Sequence, residues 1–126
     1  MNCRFEIYLL HSSITTFDQQ AAFKIPPPGV RKIILSTNIA ETSVTIPDVV
    51  YVIDSARVKE MTYDPNKRTK SLDLCWISKA NSKQRKGRAG RVRSGFYFSL
   101  ISQDHYDSFL EYQVFFFFLK INYNEH

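Results

Sequence analysis

Short apolar runs alternate with polar, helix-like stretches along most of the chain. Residues 5–10 form an apolar run that reads as a strand buried on both faces. Thr16-Phe17-Asp18-Gln19 fits a capping box, in which a hydroxyl and an amide satisfy backbone donors at a helix start. That helix ends by Lys24, because Pro26-Pro27-Pro28-Gly29 does not continue it. Residues 32–36 and 49–53 are two further strands, the first ending in polar Ser36-Thr37-Asn38. Two β-rich runs, 58–63 and 72–77, then flank Asp64-Pro65-Asn66-Lys67-Arg68, which predicts a β-hairpin with an exposed basic tip. A polar, basic helix over 81–91, a strand over 95–101 and a short helix over 103–112 complete the pattern. Strands alternating with helices predict an α/β domain with a mainly parallel sheet.

The ends depart from this rhythm. Met1 leads almost at once into a strand, and Phe115-Phe116-Phe117-Phe118-Leu119 is apolar without caps or alternation. Residues 115–126 are expected to be foreign to the fold, which makes 5–114 the domain and leaves it incomplete at both ends.

The chain has 126 residues with 44% hydrophobic and 23% charged positions, which allows one modest core and excludes a disordered or collagenous chain. Its +5 charge is unevenly spread: residues 1–93 carry 16 Lys and Arg against 8 Asp and Glu, and the acids prevail thereafter. An anion-binding surface is therefore expected in the first three-quarters. Cys3 and Cys75 make no disulfide framework and have no metal-ligand spacing, and His11, His105 and His126 are scattered, so no metal site is expected. A reducing compartment follows, which places the chain inside the cell, in cytoplasm or nucleus. No run approaches the roughly 20 apolar residues needed to span a bilayer, so no membrane partner is expected.

Three stretches carry candidate chemistry. Ser36-Thr37-Asn38-Ile39-Ala40-Glu41-Thr42-Ser43 directly follows a strand, where hydroxyls and turn amides can meet phosphate oxygens. The plainer reading is a βα loop whose polar residues cap the next element. The second stretch is Gln84-Arg85-Lys86-Gly87-Arg88-Ala89-Gly90-Arg91; on a helix, Arg88 and Arg91 would share one face and converge on a polyphosphate. A solvated basic face or a nuclear-import patch is the alternative. The third is the hairpin tip with Lys67, Arg68 and Lys70, above Arg57 and Lys59. It is either a nucleic-acid backbone contact or a charged edge that resists aggregation. No GxxxxGK[ST] loop and no acidic magnesium cluster accompany these arginines.

Taken together the residues resemble a known family. STNIAETSVTIPDVVYVID (36–54) is similar to motif V of the DEAH-box ATP-dependent RNA helicases, and QRKGRAGR (84–91) to their motif VI. The segment 57–84 between them resembles the family's β-hairpin insertion, about 57–77, and LHSSI (10–14) resembles motif IVa. The likeness covers residues 5–114 and implies part of the second RecA-like domain of a two-domain motor.

The resemblance implies ATP with Mg2+ as cofactor, shared with a first RecA-like domain, and RNA as partner alongside a C-terminal winged-helix region. Gln84 would place the attacking water. Arg88 and Arg91 would reach the γ-phosphate, with Gly87 and Ser43 beside the nucleotide. Ser12, Thr37, Asn38 and Thr45 would contact RNA, together with Lys67, Arg68 and Lys70. Without a Walker loop and DEAH acids the chain alone is expected to lack ATPase activity. A non-catalytic RNA-binding module and a non-functional truncated product stay open beside the motor reading.

Overall fold

A computed structural model of the chain describes residues 4–113. The first half runs β1 (Arg4–Leu10), α1 (Thr16–Ala21), β2 (Val30–Ser36), α2 (Ile39–Thr42) and β3 (Tyr51–Asp54). The second half runs β4 (Arg57–Asp64), β5 (Thr69–Trp76), α3 (Lys79–Lys86), β6 (Phe96–Ser99) and α4 (Gln103–Asp107). β1 pairs with β2 and β3 with β6, both in parallel, while β4 and β5 form the antiparallel hairpin. The α/β, mainly parallel expectation is met, although among the described residues the parallel strands form two ladders and not one continuous sheet.

Local chemistry explains where the helices begin and end. Thr15, one residue before the predicted cap, opens α1: its hydroxyl accepts the Asp18 amide and donates to the Asp18 carboxylate at 2.7 Å. The Thr15 hydroxyl thus engages both the amide and the carboxylate of Asp18, and the cap moves back by one. The end of α1 is tied down by Lys32, whose Nζ donates to the carbonyls of Ala22 at 2.9 Å and Lys24 at 3.0 Å and to Asp48 at 2.7 Å. A cation suits carbonyls left without intrahelical partners.

Two other helices differ from expectation. α3 starts before the predicted residue 81, because Ser78 and Asn81 form a capping box. It stops at Lys86 and not at Arg91, with Gly87 as its cap and Gly90 in the left-handed region at φ +79°. α4 ends at Asp107 and not at Tyr112, where the Ser108 hydroxyl donates back to the His105 carbonyl at 2.6 Å.

Burial is one-sided. Leu10, Ala22, Val44 and Ile46 pack together, backed by Tyr8, Ile34 and Val49. Ala56, Val58, Ile77 and Phe109 form a second cluster at the base of the hairpin. The reading of residues 5–10 as buried on both faces is corrected: Phe5, Ile7 and Leu9 remain 55%, 63% and 56% exposed. On the other ladder Tyr51 stacks on Phe96, and both are as open as Ile53 and Phe98. Among the described residues the apolar layer packs against only one face of each ladder, so alternate side chains stay outside. Residues 115–126, expected to lie off the fold, and Cys3 fall outside the described residues.

Leu10 is 1% exposed, and its carbonyl accepts the Thr37 amide at 3.0 Å. Leu10→Ala is expected to cost about 2–5 kcal/mol by cavity formation, measured by urea unfolding of the chain. An unchanged midpoint would show that this cluster is not the core.

Candidate functional site

The parallel pairing of β1 with β2 brings the turn that carries Ser12 beside the first candidate stretch. Leu10 lies opposite Ser36, so the turn after β1 and the segment after β2 emerge side by side at the carboxyl ends of the strands. Ser12 is exposed in the first, and Thr37 and Asn38 are exposed in the second. Asn38 precedes α2 without using its side chain as a cap, which leaves its amide available. Ser43 closes α2, and exposed Thr45 sits between buried Val44 and Ile46, whose anchoring turns its hydroxyl outward.

The basic stretch is built differently from the expected helix. Arg88 and Arg91 do not share a helical face, because α3 has ended before them. The chain instead leaves as a turn: the Arg88 amide returns to the Arg85 carbonyl at 3.0 Å and the Ala89 amide to that of Lys86 at 3.2 Å. Gly90 then donates to Val49 O at 3.4 Å, which pins the loop to the chain leading into β3. The two glycines of the stretch thus serve a helix cap and a left-handed turn. A third glycine keeps the loop close: a Cβ on Gly95 would lie 2.9 Å from Ala89 C and closer still to Gly90 N. Arg88 Nε rests on the Gln84 carbonyl at 3.4 Å, and Arg91 is exposed. Among the described residues neither guanidinium is paired with a carboxylate. Guanidinium groups without a carboxylate partner fit an anionic phosphate group.

Arg85, between these residues, is the arginine that the fold consumes. Its Nε donates to Glu41 at 2.8 Å, Nη1 to Asp54 at 2.7 Å and Nη2 to the Arg57 carbonyl at 3.1 Å. Burial alone would lower its pKa, but the hydrogen bonds and charges of Asp54 and Glu41 outweigh that and hold it above the ordinary arginine value. Asn81 donates to the other Glu41 oxygen at 2.9 Å, and Tyr97 donates to the other Asp54 oxygen at 2.8 Å. Burial, with Asp54 beside it, pushes the Tyr97 phenol above its usual value. None of these residues was singled out by the sequence. The available signal was a pair of acids, Glu41 and Asp54, in otherwise apolar or hydroxyl-rich segments: a buried carboxylate requires a partner.

The hairpin carries its basic tip away from this centre. Strands of eight residues span roughly 25 Å, so Lys67 and Arg68 stand at the far end from Arg85. Asp64 accepts the Asn66 amide at 2.9 Å and shapes the turn, in which Arg68 has φ +51°. Lys70 faces Tyr63 across the ladder. At the base, the Arg57 guanidinium sits 3.2 Å from the Trp76 ring centroid, a cation–π contact that uses one of the predicted basal cations structurally. No cluster of three or more His, Cys, Asp or Glu that would hold a metal exists among the described residues, and no described helix is long and apolar enough to cross a membrane.

Comparison with known proteins gives this arrangement its relatives. The family described as helicase conserved C-terminal domain matches residues 1–93. The chain belongs to this family. It is 54% identical over 111 residues to the ATP-dependent RNA helicase DHX29 of Mus musculus, covering 88% of this chain and 8% of that protein. It is 58% identical over 101 residues to the putative ATP-dependent RNA helicase DHX57 of Homo sapiens, covering 80% and 7%. The crystal structure of the E. coli DExH-box NTPase HrpB superposes with a TM-score of 0.83 at 32% identity, over 90% of this chain and 14% of that one. The chain therefore spans less than a tenth of the length of these curated relatives. The resemblance to DEAH-box helicases is shown, and the α/β arrangement is that of a RecA-like helicase C-terminal domain.

Within this domain the close approach of Gly95 to the arginine loop generates a test. Gly95→Ala is expected to cost about 1–3 kcal/mol through overpacking, read as a lower urea midpoint. A neutral outcome would mean that the 89–95 contact is not closed in solution.

Proposed function

We propose that the chain is part of the second motor domain of an ATP-dependent RNA helicase, contributing one wall of an ATP site and one stretch of an RNA path. The supporting observation is the 87–91 loop, which leaves a capped helix with two arginines that have no carboxylate partner among the described residues. In this reading Arg88 and Arg91 hold the terminal phosphates, Gln84 orients the attacking water, and Gly87 and Ser43 lie beside the nucleotide. Phosphoryl transfer is served mainly by positioning and charge neutralisation, which residues from two domains can share. ATP arrives with Mg2+, whose ligands belong to the first RecA-like domain. That domain and a C-terminal winged-helix region are the partners in the parent protein, which works inside the cell, in cytoplasm or nucleus.

RNA is met by Ser12, Thr37, Asn38 and Thr45 at and beyond the ends of β1 and β2, and by Lys67, Arg68 and Lys70 on the hairpin. Hydroxyls and amides beside a strand end suit phosphate and sugar oxygens, and the cations supply sequence-independent affinity.

Two measurements test this reading. The chain alone is expected to show no ATP turnover, and turnover abolished by Arg91→Ala would sink the proposal. Titration with oligouridine at several salt concentrations is expected to give a slope of log affinity that falls by about 0.7 for each phosphate contact removed from the Lys67, Arg68 and Lys70 set by alanine substitution. Slopes that ignore all three would remove the hairpin from the RNA path.

A further inference from the structure

We propose that Arg85 is a positioning residue that couples the two parts of the site: it ties α3, from which the 87–91 loop leaves, to α2 in the 37–45 segment, so that a ligand on one changes affinity at the other. This rests on the reading above, in which the loop takes a polyphosphate and Thr37, Asn38 and Thr45 of the segment meet RNA.

Arg85 is spent entirely inside the protein. Its three bonds reach α2 through Glu41, the end of β3 through Asp54 and the start of β4 through the Arg57 carbonyl. Glu41 stands in the middle of the segment, between Thr37 and Asn38 on one side and Ser43 and Thr45 on the other. Both of its oxygens are held by α3, one by Arg85 and one by Asn81. α2 has only four residues, and its cap residue Asn38 gives no side-chain hydrogen bond. One turn of helix has little stability of its own, so the orientation of α2 follows whatever holds Glu41. On the other side, the arginine loop begins on the backbone of Arg85 itself, through the Arg88 amide at 3.0 Å from the Arg85 carbonyl. A planar guanidinium bonded in three directions sets angles as well as distances, which an ammonium does not. A displacement of Glu41 is therefore passed to the loop through one rigid group.

The test uses the 126-residue chain and two probes, inorganic triphosphate and oligouridine RNA, titrated singly and together. In the wild-type chain the RNA is expected to change the triphosphate dissociation constant by about fivefold or more. Arg85→Lys keeps the charge and loses the fork: each ligand alone is expected to bind near its wild-type affinity, while the ratio with and without RNA falls to one. Glu41→Gln provides a second variant with the same expected loss, should the lysine variant fail to give a native circular dichroism spectrum. A ratio that persists in the folded variants overturns the proposal, because the bridge is then merely structural. Binding of both probes to the wild-type chain with a ratio of one overturns it alone. Failure of the wild-type chain to bind triphosphate overturns this inference as well, while the functional reading, which gives the chain only one wall of the site, is decided by the ATP-turnover and salt titrations above.

Discussion

A charged group taken out of water must find compensation on every side, and in this domain that demand falls on Arg85. Its side chain is 14% exposed, and those of its two acidic partners, Glu41 and Asp54, are 8% and 2% exposed. Breaking such a buried pair from one side costs about 3–5 kcal/mol, a large part of the stability of a small domain. The carboxylates are held from several sides: Asn81 donates to Glu41, Tyr97 and the Ala56 amide donate to Asp54, and the Arg57 carbonyl accepts from Arg85. The order of the elements follows from this centre. α3 must lie across α2 and the end of β3, and the hairpin must start where Arg57 presents its carbonyl.

This division separates the arginines of one short stretch into scaffold and surface. Arg85 is consumed by carboxylates, while Arg88, half-buried, and Arg91, exposed, leave the turn at Gly87 and Gly90 without a carboxylate partner among the described residues. Spacing along the chain gives no warning of it, since all three belong to the same cationic run. What distinguishes them is the helix end, which Gly87 caps and the left-handed Gly90 turns away from the helix axis.

Much of the fold was legible because it rests on local chemistry. The strands, the proline stop after α1 and the hairpin with its Asp64 turn follow from periodicity and turn residues, and they stand within a few residues of expectation. Helix boundaries were less legible: Asn81 completes the box with Ser78 in place of the usual Glu or Gln, and the basic residues after Gly87 continue a helix-like composition without a helix. The burial of β1 was misjudged because an apolar run reads alike whether one face or both are covered. The candidate stretches were visible as residue types, and the juxtaposition of the Ser12 turn with Thr37 depends on strand pairing. The Glu41–Arg85–Asp54 bridge was invisible, since its members are 44 and 31 residues apart and nothing local links them.

The contact between Gly95 and Gly90 has a bearing on how variation in such domains is interpreted. These positions sit on opposite limbs of a closed loop, and neither offers a functional group to any ligand. A single added methyl at the later one pushes directly on the backbone from which Arg91 is hung. An inherited change there would present in an assay as damage at the proposed phosphate-binding arginines, although both of their side chains remained intact.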